Sequence, residues 1–216
     1  MIYFLPEGYC ERSTPSPFGD SEGAVEWQPD VYAEAERLAR SFGASAIVDV
    51  GCGMARKLLP LSADFMVVGV DHPSMIVRLE GRPGVWVGAD LDSSSRPAIP
   101  DRLLDGAIVV CSDVIEHMVS PEVLCGHLRW MLESAVVCVL STPDRDRTHG
   151  AGHFGPPPNP AHVREWAADE LVLFLESQGF VVLRQGWTRS HTGTSDEATV
   201  LVMLAGANVG EDWSEQ

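Results

Sequence analysis

The sequence predicts an α/β fold: a three-layer sandwich with a mostly parallel sheet between two layers of helices. Three observations carry that expectation. Short runs rich in Val and Ile alternate along the chain with longer stretches of helical periodicity. The first run is followed at once by a glycine-rich turn, Gly51-Cys52-Gly53. The last two runs follow one another with no helix between them, which makes them an antiparallel pair closing the sheet.

Residues 1–30 are rich in Pro, Gly, Ser and acidic groups and read as an N-terminal arm. Residues 31–207 carry the domain, and residues 208–216 are expected to be a flexible acidic tail. PDVYAEAERLARSFG is the first helix, with Asp30 placed to cap it and Gly43 to end it. AIVDV is a strand, and RKLLPL after the glycine turn starts a helix that Pro60 limits. MVVGVDH is a second strand ending at Asp71, followed by a helix opened by Pro73. VWVGADLDS is a third strand ending near Asp90. LLDGAIVVCSDVIEHM is a fourth strand running into a loop or helix start. SPEVLCGHLRWMLES is an amphipathic helix with Ser120 at its cap and Pro121 at its first position. SAVVCVLSTP is a fifth strand, and REWAADELVLFLESQGF a helix stopped by Gly179. VVLRQGWTR and EATVLVMLAG are the closing pair.

A chain of 216 residues with a formal net charge of -16 is large enough to bury a core and repels phosphate backbones. Nucleic acid is therefore not expected as a partner. The five cysteines form no CxxC pair and mostly lie in apolar runs, as reduced buried thiols do. The N-terminus lacks the pattern of a signal peptide, and no run reaches the ~18 apolar residues of a membrane span. A cytoplasmic protein with no membrane partner is the expectation.

Ligands of open α/β sheets bind beyond the carboxyl ends of the strands, and the chemistry gathers there. Asp49 closes the first strand, and Gly51 and Gly53 let the backbone approach a ligand closely. Asp71 ends the second strand, about twenty residues on, where a carboxylate accepts both hydroxyls of a ribose. Asp90 and Leu91 follow the third, offering an acceptor and an apolar cover for an adenine. The glycines are spaced G-x-G-x-A, which departs from a dinucleotide fingerprint.

VDVGCGMA, VVGVDH, GADLDS and CSDVIEHM resemble, in order, the motifs of class I S-adenosylmethionine-dependent methyltransferases. The resemblance covers residues 46–143 and extends in element order to about 205. It implies a Rossmann-like, seven-stranded sheet with a reversed last strand. It also implies S-adenosylmethionine contacts by Asp49, Gly51, Cys52, Gly53, Asp71, His72, Asp90, Leu91, Ser112, Asp113 and His117. CSDVIEHM is similar to the E-V-I-E-H box of the subgroup that includes ubiquinone-pathway O-methyltransferases, with Asp113 in place of the first Glu. In that setting Glu116 and His117 are either a hydrogen-bonded pair that holds the loop or metal ligands. RNA 3′-end 2′-O-methyltransferases resemble the chain at the same box and use its carboxylates and His, with a downstream His, as ligands. That resemblance implies Asp113, Glu116, His117 and His162 as a candidate set for Mg²⁺ or Mn²⁺.

Three of the seven histidines, His149, His153 and His162, fall in the polar segment after the fifth strand. A hydroxyl acceptor needs a general base, so His149 or His153 is expected as base, with Asp144 orienting it. The alternative is a polar loop with incidental histidines. The segment is also similar to methyltransferases encoded beside glycan-building enzymes in bacteria, which implies a saccharide acceptor for polysaccharide biosynthesis. The arm's Tyr3, Phe4, Tyr9, Phe18 and Trp27 either stack on a sugar or pin the arm to the body. A homodimer is a family-level expectation. The competing readings are a phenol or quinone acceptor, a nicotinamide oxidoreductase on a similar fold, and a non-catalytic scaffold.

Overall fold

The structure is a computed structural model that describes residues 3–16 and 26–206. Phe18 of the arm, residue 207 and the tail 208–216 lie outside the described residues. The strands are β1 (Ala46–Val50), β2 (Met66–Asp71), β3 (Val85–Gly88), β4 (Ile108–Ser112), β5 (Val137–Pro143), β6 (Val181–Thr188) and β7 (Thr199–Ala205). They form one seven-stranded sheet in the order β3-β2-β1-β4-β5-β7-β6. The pairs from β3 to β5 are parallel, and β7 alone runs backwards, between β5 and β6. The expected α/β sandwich with one antiparallel strand is the observed fold.

The helices are α1 (Pro29–Phe42), α2 (Pro73–Ile76), α3 (Pro121–Met131), α4 (Arg145–His149) and α5 (Ala168–Ser177). β1 and β4 are buried along their whole length, as strands covered on both faces must be. On one face α1 lays Val31, Ala35, Leu38 and Ala39 against Ile47, Val110 and Val139. On the other, α3 and α5 press Leu128, Met131, Leu171 and Phe174 against Val48, Val109 and Leu140. Among the described residues no helix is long and apolar enough to cross a membrane.

Several local expectations need correction. Asp30 does not cap α1, whose cap is Gln28 in a left-handed conformation. Asp30 sits in the first turn and binds Thr188 Oγ1 (2.8 Å) and Arg189 Nε (2.9 Å) instead. Arg189 holds its carboxyl down to about 2. The RKLLPL segment makes only a 3-10 turn over Leu59–Ala63. Ser120 is at the cap of α3 but its side chain does no capping; the Asp92 carboxylate reaches over to the backbone N–H of Ser120 at 2.9 Å. α5 begins at Ala168, because Arg164 and Trp166 are drawn away into other contacts. Arg164 is bound by Glu11 and by the carbonyls of Met118 and Val119, and Trp166 Nε1 donates to Tyr3 O. Cys10 is exposed, unlike the other four cysteines.

Two straps tie the chain together above the sheet. The arm runs along the segment after α4, with backbone bonds Cys10 to Phe154, Arg12 to Val163 and Ser16 to Pro160, each 2.8 Å. Tyr3 and Tyr9 pin it: Tyr3 meets Phe174 edge-on, and the Tyr9 hydroxyl accepts from Glu165 N. The second strap pairs residues 26–30 with the β6–β7 loop. Gln28 N donates to Ser190 O at 2.9 Å, Thr192 N to Glu26 O at 2.8 Å, and Trp27 meets the His191 ring edge-on.

Gly69, in the middle of β2, shows how tightly the α1 face is packed. A Cβ there falls 2.5 Å from Trp86 Cζ3 and 2.7 Å from Cys52 Sγ. Gly69→Ala is expected to lose about 1 to 3 kcal/mol of stability through overpacking, read by chemical denaturation. Wild-type stability in that variant would show that the indole and thiol can retreat.

Candidate functional site

A cleft of about 410 Å³ opens beyond the carboxyl ends of β1 to β4. Of the residues expected at a cofactor, Gly51, Gly53, Asp71, His72, Asp90, Leu91, Asp113 and His117 line it. Gly51 is at φ 80 and Gly53 at φ 53, values that glycine adopts without strain. Ala55 follows at φ 54, in a conformation where its methyl group is a burden. Asp71 Oδ2 accepts from Gly53 N at 2.8 Å, so the second strand's carboxylate also holds the first strand's turn. Its oxygens keep lone pairs for further donors.

Cys52, Ser112 and Asp49 are placed differently from the other eight. The Cys52 thiol is buried in the α1-face core beside Gly69 and does not line the cleft, because alternate residues of the turn face opposite sides. Ser112 is bound beneath the surface to Gln28 Oε1 at 3.1 Å. Asp49 is fully buried at the end of β1. Its Oδ2 accepts from Tyr32 Oη at 2.8 Å, while Oδ1 is sealed from solvent with no partner. Burial pushes its carboxyl up to about 7. An orphaned acidic oxygen under a glycine turn fits a ligand that brings an ammonium group.

Beyond Asp113 the cleft meets a second polar cluster. Asp113 has φ 56, a left-handed backbone that Asp tolerates better than most residues. The chain then makes a 3-10 turn over Ile115–His117. Ligand atoms of Glu116, His117 and His162 lie within 4.8 Å of one another. Glu116 Oε2 accepts from Thr142 Oγ1 at 2.9 Å, and Oε1 is buried without a partner. Burial raises Glu116 to about 7, and burial with the facing Glu116 raises Asp113 strongly. Burial, then neighbouring His162, lowers His117 to about 4, so it is neutral near pH 7. Its Nδ1 donates to Ala161 O at 3.0 Å, which makes Nε2 the nitrogen carrying the lone pair. Like charges crowded at low dielectric, an orphaned carboxylate oxygen and oriented imidazoles fit a divalent cation.

Glu165, which sequence reasoning missed, organises the histidines. Its Oε1 lies 2.5 Å from His162 Nδ1 and its Oε2 lies 2.9 Å from His149 Nε2. The spacing His162-x-x-Glu165 was visible, but the turn that folds it back was not. His162 Nε2 is met by the Asn159 amide at 2.9 Å, so ligation there requires that amide to turn aside. His149 and His153 rings lie 4.9 Å apart. Asp144, expected to orient one of them, does not reach either. Its Oδ1 caps α4 through the N–H groups of Asp146 and Arg147, and its Oδ2 accepts from Trp187 Nε1 at 2.8 Å.

A doubly wound sheet with one reversed strand, a glycine turn and carboxylates at three successive strand ends defines a nucleoside-cofactor-binding α/β domain. The methyltransferase-domain family matches residues 23–185, and the chain belongs to that family. This displaces the nicotinamide oxidoreductase reading. Among solved structures, the glycopeptide N-methyltransferase MtfA complexed with S-adenosyl-L-homocysteine is 19% identical, with TM-score 0.63 over 91% of this chain and 93% of that one. The methyltransferase domain of bacterial CtHen1 is 18% identical, with TM-score 0.58 over 82% and 98%. Magnesium protoporphyrin IX methyltransferase (ChlM) from Synechocystis PCC 6803 with bound SAH is 17% identical, with TM-score 0.55 over 82% and 83%. No curated protein sequence matches.

The raised Asp49 carboxyl sets a pH dependence. Its folded value, about 7, lies above the ~3.8 of the unfolded chain, so the folded state holds more protons between them. Its contribution to stability is full below about pH 4 and is lost as pH rises toward 7. Asp49→Asn is expected to flatten that decline and raise the melting temperature at pH 8. An unchanged slope in thermal denaturation from pH 5 to 8 would show that Asp49 ionises freely.

Proposed function

We propose that this protein transfers a methyl group from S-adenosylmethionine to a hydroxyl of a small polar acceptor, a saccharide in the first instance. The observation that carries the reading is the continuity of the cleft, which Asp113 and His117 line, with the Glu116–His117–His162 cluster. A donor in the cleft would present its methyl end to that cluster. There oxygen and nitrogen groups are arranged for proton removal, which a hydroxyl requires more than an amine does.

S-adenosylmethionine would supply an electrophilic methyl on a sulfonium, taken in line by the acceptor oxygen as the C–S bond breaks and S-adenosylhomocysteine leaves. In this reading Asp71 receives the ribose hydroxyls, and Asp90 and Leu91 the adenine. Asp49, sealed beneath the glycine turn, would favour the ammonium through its charge rather than by direct contact. Of the four expected ligands the structure brings Glu116, His117 and His162 together; these three would hold Mg²⁺ or Mn²⁺, which would lower the pKa of an oxygen acid beside it, while Asp113 lines the cleft. His149, its Nε2 turned to Glu165 Oε2, takes the acceptor proton on Nδ1. Glu165 replaces Asp144 as the carboxylate beside this imidazole, in ion-pair contact without hydrogen-bond geometry. The acidic surface keeps nucleic acid away and leaves a polar small molecule as the fitting acceptor.

Methyl transfer from labelled S-adenosylmethionine to a panel of saccharides and phenols, with and without EDTA, tests the reading. Transfer to a saccharide, abolished by EDTA and restored by Mn²⁺, is expected. Transfer only to phenols would sink the saccharide acceptor, and indifference to EDTA would return Glu116, His117 and His162 to a structural role. His149→Ala is expected to lower turnover ~10²-fold or more. Full activity in that variant would take the base elsewhere.

A further inference from the structure

Gln28 is an odd residue to find where it lies. It is 2% exposed, at φ 50, in a left-handed conformation that glutamine seldom adopts. Backbone bonds to the β6–β7 loop and the Asp30–Arg189 ion pair hold it there. Its side-chain Oε1 receives the hydroxyls of Ser112, at 3.1 Å, and of Ser141. Those serines face each other in register at the ends of β4 and β5. The structure sets that end of the amide as the oxygen, and the two hydroxyls also meet each other at 3.1 Å. The other end, Nε2, meets no acceptor among the described residues. It is also not among the partnerless side-chain atoms sealed from solvent, so the small exposed part of this buried residue includes that nitrogen.

The order of strand ends says which ligand that space receives. Adenine and ribose candidates stand at β3 and β2, and the glycine turn at β1. The β4–β5 junction lies beyond the methyl-donating end of that series, and Gln28 is absent from the lining of the cofactor cleft.

We propose that Gln28 is an acceptor-binding residue whose Nε2–H donates to an acceptor oxygen next to the one that is methylated. The attacking oxygen must keep its lone pair for the methyl group, so the donor serves its neighbour. A vicinal diol, as in a saccharide, supplies that pair of oxygens. The inference rests on the hydroxyl-acceptor reading above and adds a specificity determinant to it.

The test uses Gln28→Met, similar in length and without the N–H. Kinetics are measured with methyl glycosides of glucose, galactose, rhamnose and N-acetylglucosamine and with their monodeoxy counterparts. S-adenosylhomocysteine affinity is measured by calorimetry. The expected result is an acceptor KM raised roughly 3- to 10-fold, the effect of one neutral hydrogen bond. S-adenosylhomocysteine affinity should stay within about two-fold. On the deoxy glycoside lacking the neighbouring hydroxyl, wild type and variant should converge. A penalty equal on parent and deoxy glycosides would show a structural role only and overturn the proposal. Weakened S-adenosylhomocysteine binding with unchanged acceptor KM would assign the amide to the donor and overturn it too. No transfer by the wild-type protein to any glycoside would overturn the saccharide reading and this inference with it.

Discussion

Five carboxyl groups crowded beyond one end of the sheet are the constraint on which this site depends. Asp71 raises the proton affinity of Asp49, Glu116 that of Asp113 and Glu165 that of Glu116. At low dielectric such a row cannot ionise fully without positive charge brought in from outside. Lys57 lies near one end, where it lowers Asp49 and Asp113, and its ammonium donates to Trp27 O at 2.7 Å. That one cation does not balance the row. Under the proposed function that charge comes from ligands that arrive cationic. An ammonium, a sulfonium and a divalent ion are the three that the proposed chemistry would supply, and each has a carboxylate in the row to meet it.

The backbone bears the same mark. Gln28, Ala55 and Asp113 all hold positive φ. Each sits at a turn leading into or out of the cleft region, where straight strand or helix would carry the side chains past it. Such conformations persist only where surrounding structure fixes them. Here the fixing is visible: the β6–β7 loop locks Gln28, the packed α1 face encloses Ala55, and β5 pins Asp113 through a bond from its N–H to Ser141 O at 3.1 Å. Strain and partnerless carboxylate oxygens thus coincide at one end of the molecule.

The fold was legible because parallel strands buried on both faces leave continuous Val and Ile runs, and glycine and Asp punctuate their ends. The lining of the cleft was legible for the same reason: Gly51, Asp71 and Asp90 follow directly from strand ends. The acceptor side was not. Glu165 reaches His149 and His162 only because the 153–166 segment doubles back under the arm. Asp144 looked like a catalytic partner because it stands near histidines in sequence. Its oxygens are consumed instead by a helix cap and an indole, neither of which leaves a periodic signal. Gln28 carried no motif, since its role depends on serines far away in the chain. Local pattern reports elements, whereas sites built across distant segments need the packing.

That division has a consequence for how the two halves of the site can vary. The cofactor half is made from β1 to β4 and is welded to the sheet, since Asp71 binds the glycine turn and Asp113 binds β5. The acceptor half hangs on the late hairpin. Trp187 in β6 holds Asp144, which caps α4, which carries His149 to Glu165. The loop after β6 holds residues 26–30 and with them Gln28. Substitutions in that hairpin can therefore shift His149 and Gln28, the two proposed acceptor-side groups, together while the strand ends that line the cleft stay where they are. A fold divided in this way can keep one donor and change its acceptor through a single β-hairpin.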